Sequence, residues 1–191
     1  MKKAFTIIEL MVVVGILAIL LTLVTTAAAD SLELARRRKA QACASAVQEG
    51  LSTYYAQKGY WPGTIGKNIQ NGTVQSNYNS HRDDIEPTEY LLDQTEADEM
   101  VKDLVMETKK RNPMLDISGL FVSRSEGREK SKDFGLDFMQ AIRGTKQSRK
   151  KMKTSEMHFG YPNKKGYFRP FKIVYSLTTD AMTVTCPEWP E

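Results

Sequence analysis

Apolar and polar positions change their rhythm along the chain, and each rhythm predicts a different kind of element. The first thirty residues, Met1 to Asp30, open with two lysines and a small residue and then turn almost wholly apolar. From Leu10 to Leu21 there is neither a charge nor a hydroxyl. With Phe5 to Ile8 before it and the threonines after it, the apolar stretch covers about 20–25 residues. At about 1.5 Å of rise per residue that is long enough to cross a hydrocarbon layer about 30 Å thick as a helix. A helix is the single-segment solution there, because each backbone N–H and C=O then finds its partner inside the segment.

From Ser31 to about Lys58 the pattern becomes amphipathic. No proline occurs, and Ala35, Ala40, Ala42, Ala44 and Ala46 favour a helix. Cys43, Val47, Leu51 and Tyr54 or Tyr55 recur at i, i+4, i+8 and i+11 or i+12 and form one apolar stripe. The two stretches therefore read as one helix of about fifty residues. Gly59-Tyr60-Trp61-Pro62-Gly63 ends it, with Gly59 suited to a left-handed cap and Pro62 blocking continuation.

Beyond the helix the periods shorten. Residues 67–81, rich in Asn, Gly, Ser and Gln, read as loop. Thr88 to Lys110 reads as a helix capped by Thr88, with a stripe of Ala97, Met100 or Val101, Leu104 and Val105, ending at Asn112-Pro113. Leu115 to Val122 has strand character, interrupted by Gly119. Asp133 is placed to cap a short helix carrying Phe134, Phe138 and Ile142 on one face. Lys146 to Lys153 is a polar basic loop. At the end, Phe171, Ile173, Tyr175 and Leu177 alternate with polar or smaller residues, Thr179-Asp180 supplies a turn, and Met182, Val184 and Cys186 alternate on the way back, which predicts a hairpin. Asn163 to Gly166 reads as the turn before these strands. The fold class that results is α+β: a long N-terminal helix, its first half membrane-spanning, packed on a small C-terminal antiparallel sheet with inserted helices. The organisation is residues 1–4 as a leader, 5–29 as the apolar helix, 30–58 as its amphipathic continuation and 59–191 as a head.

Glu9 is the residue that breaks the apolar rule. An ionised carboxylate one turn into such a run costs on the order of a few kcal/mol unless something answers it. It can lie at the bilayer edge and reach water, or be protonated, or be held for a positive partner. Cutting after Ala4 would create an amine at Phe5, one helical turn from Glu9, in the same chain or presented by a neighbouring one.

Lys2-Lys3-Ala4 followed by Phe5-Thr6-Ile7-Ile8-Glu9-Leu10 resembles the prepilin leader of type IV pilins and of the pseudopilins of type II secretion. The resemblance implies cleavage by a prepilin peptidase between Ala4 and Phe5, methylation of the new amine at Phe5, and subunit docking through Glu9. It implies a structural, non-enzymatic subunit of a filament. Its partners would be copies of itself, other pilins or pseudopilins, the peptidase, an inner-membrane assembly platform and the lipid bilayer. It places the chain in the inner membrane, single-pass, with a cytoplasmic N-terminus and a periplasmic head. Ala4 departs from the glycine of most members, and Thr26 stands where many carry a helix-kinking proline. The run from Tyr54 to Pro62 is similar to the Tyr-rich, Gly-x-x-Pro ending of the long helix in secretion pseudopilins. Phe159-Gly160-Tyr161-Pro162 and residues 166–177 resemble, more loosely, the closing β-region of pseudopilin-like proteins. Two other readings compete. A conventional signal cut at Ala27-Ala28-Ala29 would leave Asp30 first, and the alternative of a plain membrane anchor makes the head a binding or adhesion module.

Composition adds constraints. The 191 residues carry a net charge of +4, too little to argue for nucleic acid. Residues 5–29 removed, enough chain remains for one domain with a core. Cys43 and Cys186 either bridge or stay as buried thiols; an exported chain permits both. Arg36-Arg37-Arg38-Lys39 beyond the apolar run opposes the orientation that the leader implies, by the count of basic residues on each side.

Candidate chemistry is sparse along the chain. His81 and His158 have no Cys or acidic cluster at ligand spacing, so no zinc site is indicated. No phosphate loop, nucleophile elbow or CxxC pair occurs, and no cofactor follows. Asp83-Asp84-x-Glu86 offers oxygens to calcium but lacks the ligand order of a dedicated loop, and a solvated acidic loop is the plainer reading. Tyr60 and Trp61 suit either a carbohydrate platform or the plug of a small core, the plug being the commoner use. Residues 83–107 hold ten acids against one lysine, while 124–172 is basic. These are wet faces, or complementary faces of successive subunits.

Overall fold

The computed structural model describes residues 7–77, 86–109, 120–123, 136–144, 152–153 and 156–189. Its elements are α1 (Ile7–Lys58), α2 (Gly63–Gln70), β1 (Glu89–Leu91), α3 (Gln94–Lys109), β2 (Phe121–Ser123), β3 (Leu136–Asp137), α4 (Phe138–Arg143), β4 (His158–Pro162), β5 (Phe168–Pro170), β6 (Lys172–Ser176) and β7 (Ala181–Thr185). The chain divides into two compact units, Met1–Ala35 and Arg36–Glu191.

In the first unit every described residue, Ile7 to Ala35, is exposed. Its few hydroxyls are satisfied by the helix itself. Thr22 donates to the Ile19 and Ala18 carbonyls, Thr25 to Thr22, Thr26 to Leu23, and Ser31 to Ala27. A threonine that bonds back onto its own helix presents its methyl group outward, so these residues do not interrupt the apolar surface.

The second unit is α+β, as the alternating and helical periods predict. The α1 stripe there is Ala40, Cys43, Ala44, Val47, Leu51 and Tyr54, all buried. Val47 and Leu51 have no exposed surface, and each contributes about 1.5–3 kcal/mol by leaving water. Gly59 closes the helix at φ +75°, its N–H donating to the Tyr55 carbonyl at 2.8 Å. One sheet was expected and two form. The first has the order β1-β6-β7 and the second β3-β2-β4-β5, with every pairing antiparallel. The C-terminal hairpin forms as expected, and in its register Ile173 faces Val184 and Tyr175 faces Met182, all four buried. In the second sheet all of β2 is buried, and Phe159 of β4 packs on Phe138 of α4 at 6.3 Å between ring centroids.

Three expectations need correction. The helix read from Thr88 begins at Gln94, and Glu89–Leu91 is instead a strand on β6. The helix start is a reciprocal box: Asp93 Oδ1 accepts the Glu96 N–H at 2.8 Å and Glu96 Oε2 accepts the Asp93 N–H at 3.0 Å, which satisfies two of the donors a helix N-terminus leaves open. The loop read over 67–81 contains the second half of α2. Pro62 precedes that helix and has no side-chain acceptor, so Asp103 of α3 reaches across to take the Gly63 N–H at 2.9 Å. The short helix expected from Phe134 starts at Phe138, after the two residues of β3. Asp133 and Phe134, and residues 115–119 of the expected strand, lie outside the described residues.

Candidate functional site

The leader residues Ala4 and Phe5 lie outside the described residues. Glu9 occupies the first turn of α1. The surface that follows is apolar without interruption. Ile7, Met11 and Ile8 keep 70% or more of their surface exposed, and Leu17, Ile19, Leu21 and Val24 more than half. A soluble monomer does not expose a contiguous apolar surface of this extent. By length and composition α1 is able to cross a membrane.

At the other end of α1 the aromatic run is fastened to the β6–β7 turn. Asp180 sits in that turn at φ 49°, a left-handed conformation that Asp tolerates better than most residues. Its carboxylate accepts the Tyr55 hydroxyl at 2.5 Å, the Tyr175 hydroxyl at 2.9 Å and the Trp61 indole N–H at 3.1 Å. Burial pulls the Asp180 carboxyl upward, but the three donors outweigh it and hold it below the ordinary range. Tyr55 is raised by its bond to Asp180, and Tyr175 is pushed up to about 12, first by burial and then by Asp180. Trp61 is buried and stacks on Tyr55 with centroids 4.4 Å apart. Tyr60 meets Tyr54 edge-on at 5.8 Å. The two rings are thus split between different contacts and form a plug, not a shared carbohydrate platform.

Sequence spacing missed a second polar contact. Asp98, 3% exposed on α3, takes the Phe159 N–H at 2.8 Å on one oxygen and lies 2.5 Å from His158 Nδ1 on the other. Burial raises the Asp98 carboxyl, and the Phe159 and His158 bonds pull it down. Sixty residues separate Asp98 from His158, so no ligand-spacing rule finds the pair. Among the described residues no group of three His, Cys, Asp or Glu is gathered as a metal site. Of the calcium candidates, Asp83 and Asp84 lie outside the described residues, and the Glu86 N–H donates to Glu89.

Cys43 and Cys186 are both buried and both free thiols, so the bridge is not formed in this structure. The Cys186 thiol donates to the Ala40 carbonyl at 3.4 Å, and burial, with Cys43 adding, pushes it up to about 12.

Residues 1–25 match the family model described as the prokaryotic N-terminal methylation motif. The motif is the prepilin-cleavage signature. Neither a curated protein nor a solved structure matches the chain.

Proposed function

We propose that this chain, which carries the prepilin-type methylation motif at residues 1–25, is a pilin-like subunit that a prepilin peptidase cuts between Ala4 and Phe5, that is methylated at Phe5, and that assembles into a filament through α1. The reading is structural rather than enzymatic. The observation that carries it is the pairing of that motif with an apolar helix whose every described residue from Ile7 to Ala35 is exposed. Such a surface belongs in lipid before assembly and against other copies of α1 afterwards. Glu9 then sets register: a docked copy that leaves the carboxylate without an amine loses its Coulomb partner in a medium where that loss is severe. We place the head outside the inner membrane and the machine as a type II secretion pseudopilus, with a type IV pilus as the near relative. The leader motif supports this orientation, against the positive-inside count at Arg36–Lys39.

The test is the mass of the mature N-terminus after co-expression with a prepilin peptidase. A chain that begins with a methylated Phe5 supports the reading. A chain that keeps Lys2 and Lys3, or begins at Asp30, overturns it. Cysteine crosslinking between neighbouring copies of α1 separates a filament subunit from an anchored binding module, whose helices would stay apart.

A further inference from the structure

The second unit begins with four consecutive cations, Arg36 to Lys39, and its fold brings two more beside them. Arg36 Nη1 donates to the Lys164 carbonyl at 2.6 Å. The turn that carries Lys164 and Lys165 is a built one. Asn163 is 4% exposed, and its Oδ1 accepts the N–H groups of Lys165 and Tyr167 at 2.9 and 2.8 Å, while the Gly166 N–H returns to the Asn163 carbonyl. Gly166 stands at φ +84°, a left-handed conformation that glycine takes without strain, and a Cβ there would lie 3.3 Å from the Arg36 guanidinium. Lys39 lies over the Phe121 ring and Lys164 over the Trp189 ring, each 5.6 Å from the centroid. Arg37, Arg38, Lys164 and Lys165 are exposed.

Acids are missing from both contributing segments. None occurs between Glu33 and Glu49, and none between Glu156 and Asp180. Gathering like charges in this way raises the self-repulsion of the folded head, and an anionic surface relieves it. Such a surface is close at hand along the chain. Arg36 follows Ala29 by seven residues in the sequence, with Asp30 and Glu33 between them. A surface charge of anionic lipid acts over about 8–10 Å at physiological salt.

We propose that Arg36–Lys39 together with the Asn163–Gly166 turn forms a cationic collar that seats the head on the anionic phospholipid headgroups of the membrane holding α1. The proposal rests on the anchor reading of α1. Each basic residue near an anionic surface strengthens binding about five-fold before screening, so four exposed ones bias the lipid around the helix measurably. The collar would hold the subunit in place until assembly draws it from the bilayer.

The test uses the full chain in nanodiscs made of equal parts phosphatidylcholine and phosphatidylglycerol. The lipid that stays with the protein after gentle detergent extraction is measured by mass spectrometry at low and high salt. The expected result is a several-fold enrichment of phosphatidylglycerol at low salt, lost at high salt and lost in the variant Arg37→Gln/Arg38→Gln/Lys164→Gln/Lys165→Gln. Arg37→Gln/Arg38→Gln, which keeps Lys164 over Trp189, should lose part of the enrichment with an unchanged thermal unfolding curve. Lys67→Gln on α2 should lose none. A chain that inserts yet retains both lipids equally overturns the collar alone. A chain that stays outside the discs overturns the anchor reading and the collar with it. Salt-sensitive binding of short duplex DNA, abolished by the same four substitutions and without lipid enrichment, would replace lipid with nucleic acid as the partner.

Discussion

Asp180 accepts the hydroxyl of Tyr55 at 2.5 Å across 125 residues of chain. That bond, with those from Trp61 and Tyr175 to the same carboxylate, ties the end of α1 to the β6–β7 turn. The Asp180 carboxyl is held below its ordinary value, so the native state binds its proton less readily than the unfolded chain does. Its stabilisation is therefore complete above the unfolded value near pH 4 and is lost as pH falls through the lower, folded one. Asp98 has the opposite sign, because burial raises it, and the wild-type acid limb mixes the two. The difference between wild type and Asp180→Asn isolates Asp180. We expect the variant to be less stable by about 1 kcal/mol at pH 7, solvent at this exposed turn recovering the rest, and the gap to narrow as pH falls below the unfolded value. Urea titrations followed by tryptophan fluorescence measure it; a gap that stays constant or widens on acidification would contradict the assignment.

At the alkaline limb the sign reverses. Tyr175 is pushed to about 12 from 10.0, as are Tyr90 and Tyr161. A raised pKa stabilises the fold below the unfolded value and ceases to do so as pH climbs through the folded one. Stability should fall between pH 10 and 12. The phenolates of these three tyrosines should then form together with unfolding rather than ahead of it.

Gln48 closes an edge. Strand β7 is the last of its sheet, and its outward Val184 N–H reaches Gln48 Oε1 at 2.7 Å while Gln48 Nε2 donates to the Met182 carbonyl at 2.6 Å. One side-chain amide thus stands in for a neighbouring strand. Gln48→Leu leaves both backbone groups without that partner and should cost about 1–3 kcal/mol. Hydrogen exchange at the Val184 amide should accelerate more than at Ile173. Equal protection at both positions would show that the edge does not depend on Gln48.

Asp98 joins α3 to β4 from inside. Asp98→Ala removes the acceptor from the Phe159 N–H and from His158 at a nearly fully buried position. A loss of about 2–3 kcal/mol follows from stranding those groups. Asp98→Asn, which keeps one acceptor, should fall between. A thermal midpoint unchanged in Asp98→Ala would sink the account.

The parts legible in the sequence are those whose signal is local. The apolar run, the stripe Cys43–Val47–Leu51, the Gly59 cap and the alternation of β6 and β7 each declare themselves within about a dozen residues. Where the reading failed, two local signals competed. Thr88 looked like a cap, and the true box, Asp93 with Glu96, lay five residues on; β1 could form only because β6 supplies its partner from beyond position 172. The second half of α2 hid among loop-type residues because its missing N-cap acceptor comes from Asp103. The Asp180 hub, the Asp98–His158 pair and the Gln48 clasp join residues 60 to 136 apart, and no periodicity announces such contacts. The leader is the reverse case: the methylation motif is a pattern of consecutive residues, so it is visible in the sequence itself.

Glu9 supplies the prediction on which the assembly reading turns. If its carboxylate answers the amine that cutting after Ala4 exposes, then removing the charge leaves membrane insertion intact and disables docking. Glu9→Ala makes the helix more apolar, so the membrane fraction should hold as much chain as wild type. Glu9→Gln keeps the shape without the charge and should behave as Glu9→Ala does. Filament yield, measured by shearing and immunoblotting, should drop at least about tenfold in both, the factor that 1.4 kcal/mol of lost docking energy produces. Ala4→Asp puts a charge at the cut and should leave the chain unprocessed and equally unassembled, since no amine then forms at Phe5. Filaments built normally from Glu9→Gln would show that packing of the apolar faces sets register unaided, and Glu9 would lose its part in the mechanism.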